Sequence, residues 1–394
     1  METPVVQPGP LAGVRVLDLT RVLAAPYATM GLGELGAEVL KVERPGSGDE
    51  TRQWGPPFVA GEAAYFLAVN RNKESLTADL ANPADRALIQ RIALTWADVV
   101  VENFKPGTLE RWGLGLEQLR AQAPRLITAS VRGYPPGDDR PGYDFVIQAA
   151  SGLMSLNGPP DGPGYKVGVA IADITTGLFL LSGILAALYA REKTGRGQHV
   201  GVSLWESQLA WFANVAQSYL LTGQEPARWG NAHPQLVPYQ LFAAADGHLV
   251  VAVGNDVQFA ALARVLGNPA WAHEPRFATN PERVAHRDEL VALMAAVLVE
   301  RPCETWIGAL TEAGVPAGPV RSVPEALAWA GQAGLSPVVA VDHPLIGELG
   351  QIPLPWRFSG TPSGVRRPPP RLGEHNAVVR SRFARDAADA AEPG

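Results

Sequence analysis

Short apolar runs alternate with helical stretches through the first half of the chain, and this alternation restricts the folds that the chain can adopt. Strand-like runs are predicted at 14–19, 37–42, 76–80, 98–101 and 126–131. The stretches between them have helical spacing, at 26–36, 84–96 and 114–123. Chains that alternate in this way form a parallel sheet covered by helices. The sequence therefore predicts an α/β fold with a parallel sheet.

The second half begins with two long predicted helices, at 174–192 and 204–222, with a strand at 198–203 between them. The Asp246-Gly247 pair, centred in the apolar stretch 237–254, indicates a hairpin of two strands. Two further helices are predicted, at 256–266 and 286–299. From about 337 the chain has short strands and many prolines, and we expect its last dozen residues to form a disordered tail.

A chain of 394 residues exceeds one ordinary hydrophobic core, so two domains are expected. The change in composition after the second long helix marks a boundary. We predict four segments: the N-terminal part of a large domain at 1–203, a linker helix at 204–227, a smaller domain at 228–322, and a return to the large domain with a tail at 323–394.

Charge and cysteine content exclude several classes of partner. The net charge of −6 argues against nucleic acid as a bulk partner, and Cys303 is the only cysteine, which excludes an intramolecular disulfide. The seven histidines show no i, i+4 pairing, so no metal site is expected. The N-terminus has no targeting pattern, and no uncharged apolar run is long enough for a membrane span. We predict a cytoplasmic protein.

One string, Gly31-x-Gly33-x-x-Gly36, matches the dinucleotide-binding fingerprint. In that fingerprint the first glycine directly follows a strand, so that phosphate meets the N-terminus of a helix. Here the glycines lie near the end of a predicted helix. Close packing and a helix stop explain them better than nicotinamide binding.

Ligands of parallel sheets bind at the carboxyl ends of the strands. The segments that follow strands are therefore expected to bind ligand: 20–26, 43–45 and 102–107. Asn103 and Phe104 either form a plain loop or meet a ligand there. Arg44 and Arg111 are either solvated charges or partners for phosphate, which suits a guanidinium.

Asp173 lies between an apolar run and the first long helix. One interpretation is a helix N-cap, a position that aspartate favours. The other is a nucleophile, because a carboxylate at a helix N-terminus is kept ionised and can attack a thioester. Local sequence leaves both open.

Several strings in this chain together resemble family III CoA-transferases, and the resemblance covers nearly the whole chain. The strings are 11–20, 35–45, 101–104, 142–144, 172–177, 193–198 and 372–375. Their common order and spacing make the resemblance specific. It implies a Rossmann-like large domain formed by both termini, an inserted small α/β domain, and two monomers interlocked as a homodimer.

The resemblance also implies functional residues. It makes Asp173 the catalytic nucleophile, which decides between the two interpretations above. The implied CoA contacts are Leu23, Ala24, Arg44, Ala78, Leu80, Ala81, Asn103, Phe104, Arg111 and Tyr143. Ala81 stands where the family has a lysine. An acyl-CoA thioester and a free carboxylic acid are the implied substrates, with no permanently bound cofactor.

The implied mechanism has two halves. Asp173 attacks the acyl-CoA to give a mixed anhydride, CoA returns to form an aspartyl-CoA thioester, and the acceptor acid reverses these steps. Backbone N–H groups near the helix start are expected to stabilise the oxyanions.

The stretch 219–240 most resembles family members that act on dicarboxylates such as glutarate, with succinyl-CoA as donor. A dicarboxylate needs a cationic anchor for its distal carboxylate. The candidates are Arg228, His233, Arg71 and Arg52. One alternative is a 2-methylacyl-CoA racemase, disfavoured because the family's racemases have histidine where this chain has Tyr143. Another is a catalytically silent CoA-binding protein.

Overall fold

A computed structural model of the chain describes residues 8–389. Its strands are β1 (Arg15–Asp18), β2 (Glu38–Glu43), β3 (Phe58–Val59), β4 (Glu62–Ala63), β5 (Lys73–Thr77), β6 (Val99–Glu102), β7 (Ile127–Arg132), β8 (His199–Ser203), β9 (Tyr239–Ala244), β10 (Gly247–Ala252), β11 (Ala317–Pro319), β12 (Val339–His343) and β13 (Gly347–Gln351). Its α-helices are α1 (Ala24–Glu34), α2 (Ala64–Val69), α3 (Pro83–Thr95), α4 (Thr108–Arg111), α5 (Leu116–Gln122), α6 (Asp144–Ala150), α7 (Leu153–Leu156), α8 (Ile171–Thr194), α9 (Leu204–Trp211), α10 (Ala213–Thr222), α11 (Asp256–Val265), α12 (Asn280–Ala285), α13 (Arg287–Leu298), α14 (Cys303–Glu312), α15 (Val323–Gln332) and α16 (Asn376–Asp389).

Six strands form one parallel sheet in the order β5-β2-β1-β6-β7-β8. The predicted parallel sheet is confirmed. The chain moves outward from β1 in one direction and then returns to lay β6 on the other side of β1. This reversal is the switch point at which open α/β sheets bind ligands, beyond the carboxyl ends of the strands. The loops after β1 and β6 are therefore brought together at that edge.

The sheet is buried on both faces, as expected for parallel strands. On one face, α1 and α8 cover an apolar core that includes Val16, Val101 and Ala129. On the other face, side chains of α3, α5 and α16 complete a second core around Leu17 and Leu40. The site at the carboxyl edge is thus held by a sheet with two packed layers.

The glycine string is explained by close packing, as predicted. A Cβ on Gly31 would lie 2.9 Å from Leu181 Cδ2, and a Cβ on Gly33 would lie 2.9 Å from the Cβ of Asn72. Gly36 follows the end of α1 with φ of +104°, which favours glycine. The three glycines serve helix contacts and a helix stop.

The central helix α8 is long and apolar enough to span a membrane by length and composition, and 56% of its most apolar window is buried within the fold. It packs against α1, and Leu180, Leu181 and Ile184 lie in the core. The buried side of α8 is thus part of the core of the sheet.

The chain divides into two compact units. One comprises the residues up to Met154, Lys166–Glu225 and the residues from Ser336 onward. The other comprises Ser155–Tyr165 and Pro226–Leu335. Inside the second unit, β9 and β10 form the antiparallel hairpin predicted at Asp246-Gly247, and β11 pairs with β10. The predicted domain boundaries differ chiefly in two segments, 155–165 and 323–335, which the prediction left in the large domain.

Three local predictions are wrong. The strand predicted at 76–80 is β5 at 73–77, because Lys73 and Ser75 point into a polar interior that an apolar pattern does not indicate. The helix predicted at 204–222 is two helices, since Ala213 has φ of 40° and the chain breaks at Phe212. The expected tail is helical through 389, and its last five residues lie outside the described residues.

A buried ionic network supports the sheet beneath its carboxyl edge. Asp18 and Lys73 are both fully buried and 3.0 Å apart, and Lys41 lies 2.9 Å from Asp49. Thr29 Oγ1 donates to Asp18 at 2.6 Å. Because positive charges and hydroxyl donors surround it, the pKa of Asp18 falls to about 2, despite the opposing effect of burial.

Candidate active site

Two cavities lie at the carboxyl edge of the six-stranded sheet. The larger, of about 700 Å³, contains Asp173 in its wall and is called the nucleophile cavity. The smaller, of about 440 Å³, lies beyond β2 and β5 and is called the edge cavity. Arg21, Phe104 and Lys105 line both, so the two cavities share a wall.

The CoA contacts predicted from the sequence divide between these cavities. The edge cavity is lined by Arg44, Ala78, Leu80, Ala81 and Phe104. The nucleophile cavity is lined by Leu23, Ala24, Asn103, Phe104, Tyr143 and Asp173. Arg111 lines neither, and its guanidinium donates to Thr108 Oγ1 at 3.1 Å. The structure thus brings all but one of these residues to one edge of the sheet.

Asn103 joins the loops that follow β6 and β1. Its side-chain oxygen accepts from Arg21 N at 2.9 Å, and its amide donates to Arg21 O at 2.7 Å. The Arg21 guanidinium lies 5.0 Å from the ring centroid of Phe104. The Asn103 side chain therefore holds the switch-point loops together.

Asp173 lies in the first turn of α8, but it does not cap the helix. The cap position is Ala170, which makes no side-chain cap bond, and Asp173 is the third helical residue. The N-cap interpretation is therefore wrong. Asp173 is 8% exposed, and its carboxylate receives no hydrogen bond from any residue among 8–389.

The backbone of this first turn is bonded to another helix. Asp144, the first residue of α6, accepts from Ala172 N at 2.8 Å and from Asp173 N at 3.4 Å. Ile171 N donates to Val169 O at 2.8 Å. Each of these three N–H groups therefore has an acceptor in the structure, and oxyanion stabilisation by backbone N–H groups near the helix start stays a prediction.

Burial raises the pKa of the Asp173 carboxyl to about 7, with a further contribution from the negative charge of Asp144. Tyr65 is also affected: burial, followed by the charge of Asp173, raises its pKa to about 12. A carboxyl group with these properties is partly ionised near neutral pH. Once ionised it is poorly solvated, which favours attack on a carbonyl carbon.

The four cations predicted to anchor a distal carboxylate have different surroundings. Arg52 pairs with Glu43 at 2.7 Å, and Arg71 forms a buried ion pair with Glu34. Neither lines the nucleophile cavity. Arg228 and His233 belong to the second unit. The Arg228 guanidinium donates to three backbone oxygens of 155–162, and His233 Nδ1 accepts from the backbone of 235 and 236.

Sequence reasoning missed two residues of the nucleophile cavity and its surroundings. Arg132, at the end of β7, lines the cavity and lies 2.7 Å from the buried Glu102, with its side chain 30% exposed. Asp144 follows Tyr143 directly, yet no sequence pattern indicates that it caps a helix that begins 27 residues later. A carboxylate beside a predicted site residue was the one available signal.

The fold and site define a class of protein: an α/β enzyme with a buried carboxylate in a cavity at the switch point of a Rossmann-type sheet. Comparison with known proteins identifies the family. A sequence profile of CoA-transferase family III matches residues 11–376. The chain belongs to this family, and it is an enzyme of the CoA-transferase class.

Individual relatives agree over nearly the whole chain. A mouse succinyl-CoA:glutarate CoA-transferase is 43% identical over 374 residues, covering 94% of this chain and 85% of the relative. A succinate–glutarate CoA-transferase of Agrobacterium fabrum is 43% identical over 381 residues, with 94% of each chain covered. The crystal structure of a CAIB/BAIF family protein from Brucella suis superposes with a TM-score of 0.84 at 41% identity, covering 96% of this chain and 100% of that one.

Proposed function

We propose that this enzyme transfers CoA from succinyl-CoA to a dicarboxylate such as glutarate, with Asp173 as the covalent nucleophile. The observation that carries the proposal is the Asp173 carboxylate, which is buried, receives no hydrogen bond from the described residues and lies in the wall of the nucleophile cavity. The substrates are those named for relatives at 43% identity.

The reaction proceeds through three covalent states of Asp173: an anhydride with succinate, a thioester with CoA and an anhydride with glutarate. An Asp173 oxygen bonds to the succinyl carbonyl carbon and CoA leaves as thiolate, giving a mixed anhydride. The thiolate then attacks the Asp173 carbonyl carbon and releases succinate, giving an aspartyl-CoA thioester. Glutarate attacks the Asp173 carbonyl carbon of that thioester and expels CoA as thiolate, giving a second mixed anhydride with glutarate. The thiolate then attacks the glutaryl carbonyl carbon, which forms glutaryl-CoA and frees Asp173. Covalent capture divides one difficult exchange into easier steps.

CoA lies along the shared wall of the two cavities in this proposal. Its nucleotide end occupies the edge cavity near Arg44, Ala78 and Leu80, and its thiol end reaches Asp173. Arg21 and Lys105 line both cavities and supply positive charge along this path. Arg111 is exposed near the edge cavity and serves the phosphates from outside. CoA enters as a substrate, and no resident cofactor is proposed.

The distal carboxylate of the acid requires a cation near the reacting carbon. Arg132 satisfies two requirements, because it lines the nucleophile cavity and its guanidinium is held by a buried carboxylate, Glu102. Arg228 and His233 stay candidates from the second unit. Arg52 and Arg71 are less suitable, because neither of them lines the nucleophile cavity.

A racemase is the second candidate, and Tyr143 argues against it. Tyrosine, with an ordinary pKa near ~10, is a poor base at neutral pH. Deuterium exchange at the α-carbon of a 2-methylacyl-CoA should stay at the uncatalysed rate, and rapid exchange in heavy water would restore the racemase proposal. A silent CoA-binding protein would show no turnover at all.

We also propose a cytoplasmic, interlocked homodimer with a large and an inserted small domain. Support for the dimer comes from α10, in which no residue is buried and Leu220 and Leu221 are about three-quarters exposed. Exposed apolar helix surface favours association. Sedimentation at nanomolar concentration should show a dimer, and a compact active monomer would contradict this.

A matrix of acyl-CoA donors and free acids, read by mass spectrometry of the CoA thioester products, tests the substrate assignment. Succinyl-CoA with glutarate should exchange fastest. Butyrate should be poorer by roughly 100-fold, because it leaves the anchoring cation unpaired. Faster exchange with oxalate, formate or carnitine would contradict the dicarboxylate assignment.

A further inference from the structure

The start of α8 is held by a side chain from α6, which is unusual because helices are commonly capped by the residue that precedes them. Asp144 Oδ1 accepts from the N–H groups of Ala172 and Asp173, at 2.8 Å and 3.4 Å. The bond thus reaches the backbone of Asp173 itself. Ala170, at the cap position, has no side-chain oxygen that could do the same.

Hydrogen bonds hold both carboxylate oxygens of Asp144 in place. Its second oxygen accepts from Gln148 Nε2 at 2.7 Å. Gln148 is fully buried and its orientation is fixed, because its Oε1 accepts from Val167 N at 2.9 Å. Every partner of Asp144 in the described chain donates a hydrogen bond.

Asp173, in the turn that Asp144 caps, has the opposite surroundings. No donor among residues 8–389 reaches its carboxylate, and burial raises its pKa to about 7, with Asp144 adding to the effect. Charged and titratable side chains also lie on the other elements around the start of α8: Tyr27 on α1, Tyr65 on α2, Arg132 on β7, His199 on β8 and Glu206 on α9. Of all these groups, Asp144 is the one whose charge shifts the pKa of Asp173.

We infer that Asp144 is a positioning residue for the transfer reaction: as a cap supplied by α6 it fixes the first turn of α8 and so orients the Asp173 carboxylate in the nucleophile cavity. The inference rests on the proposed role of Asp173 as nucleophile. The nearby negative charge of Asp144 also favours the protonated form of Asp173 until substrate or a cation enters the cavity. Asp144 therefore controls both the direction and the charge of the nucleophile.

Two variants separate orientation from charge. Asp144→Ala removes both the acceptor for Ala172 N and the negative charge. The double variant Asp144→Asn with Gln148→Glu keeps these hydrogen bonds: the new asparagine accepts from Ala172 N and donates to the new glutamate, which still accepts from Val167 N. The negative charge then moves one turn along α6, at unchanged net charge. Glu117→Ala, which removes an exposed acid on α5 that lines neither cavity, is the control.

Two readouts are measured on the intact enzyme. The first is the rate at which succinyl-CoA forms a covalent adduct, as a function of concentration and pH. The second is the ionisation of Asp173, followed without substrate by carboxyl-band infrared difference spectroscopy against Asp173→Asn. Because the second readout uses no substrate, it tests the inference even if succinyl-CoA proves to be the wrong donor. Failure of the inference can therefore be distinguished from failure of the proposed function.

For Asp144→Ala we expect the limiting rate of adduct formation to fall roughly 10- to 100-fold, with little change in the KM for succinyl-CoA. The double variant should recover most of that rate. Its Asp173 titration midpoint should move to lower pH by roughly half a unit or more. The Glu117→Ala variant should match wild type in both readouts.

A wild-type rate and midpoint in Asp144→Ala would overturn the inference. So would a double variant that is as slow as Asp144→Ala, or a double variant whose Asp173 midpoint is unmoved. If Asp144→Ala does not fold, the titration of the double variant decides alone.

Discussion

Asp18 and Asp173 are both buried aspartates of the same unit, yet their surroundings differ in kind. Asp18 is fully buried beside Lys73 and accepts from the hydroxyls of Thr20 and Thr29, and its pKa falls to about 2. Asp173 has a second carboxylate nearby and no donor among the described residues, and its pKa rises to about 7. Burial is common to both. The presence of compensating charge separates an aspartate that stabilises the fold from one that is available for chemistry.

The same contrast extends to the ligands that each region can accept. The charged groups of the ionic network around Asp18 pair with one another. The network therefore supports the cavities without offering a free group to substrate. The start of α8 leaves one carboxylate unsatisfied by any described residue in the wall of a cavity, at a cost in stability. Uncompensated buried groups of this kind are characteristic of functional sites.

The largest expected effect is on transfer in Asp173→Ala. Without the nucleophile the covalent route is lost, and CoA exchange should fall by roughly a thousandfold or more. Binding of CoA, measured by calorimetry, should stay near the wild-type value because the edge cavity is untouched. The matched control is Glu206→Ala, another acid in the wall of the nucleophile cavity. Turnover at the wild-type rate in Asp173→Ala would remove the distinction between the two aspartates.

A smaller effect is expected on stability when the compensated network is broken. Asp18→Asn leaves Lys73 buried without its charge partner, which should lower the free energy of unfolding by about 3–5 kcal/mol. The control is Glu50→Gln, which breaks the exposed pair with Arg21 and should cost about 1 kcal/mol or less. Urea unfolding measures both. Equal losses in the two variants would contradict the assigned role of Asp18.

The smallest of these effects is the pH dependence of stability that arises from Asp173, the aspartate without a compensating charge. The pKa of Asp173 in the folded state lies above its unfolded value, so the folded chain binds more protons between about pH 4 and pH 7. Stability therefore falls as pH rises through that window. Asp173→Asn removes this penalty and should raise the free energy of unfolding by on the order of 1–4 kcal/mol at about pH 8.

At about pH 4 the Asp173→Asn variant and wild type should unfold alike, because wild-type Asp173 is then protonated. Urea unfolding at the two pH values checks this. An equal or lower stability of the variant at the higher pH would mean that the buried carboxylate is compensated after all. Asp18 has the opposite sign: its contribution is present above about pH 4 and is lost as the pH falls towards about 2.

The sequence predicted the parts of this fold that depend on apolar periodicity. The strands around β1, β2, β6 and β7 and the hairpin at Asp246-Gly247 were found because their side chains are apolar or their turn is distinctive. The position of β5 was predicted three residues too late, because Lys73 and Ser75 face a polar interior. The break at Phe212 lacks the glycine or proline that would have marked it.

The site was predictable only in part, for a related reason. Motif resemblance located Asp173, but local sequence also allowed an N-cap there, and the structure gives that task to Asp144 from another helix. A cap supplied across the fold depends on tertiary packing and leaves no local pattern. The ion pairs of Arg52 and Arg71 are likewise visible only once distant acids are brought together.

Covalent trapping at Asp173 tests the central claim most directly. Trypsin releases residues 167–191 as one peptide, and Asp173 is its only side-chain carboxylate. After incubation with succinyl-CoA and quenching with hydroxylamine, that peptide should carry the mass of a hydroxamate, and the peptide from Asp173→Asn should not. A hydroxamate on a peptide that carries Glu50 or Glu206 instead, with 167–191 unmodified during turnover, would contradict the account.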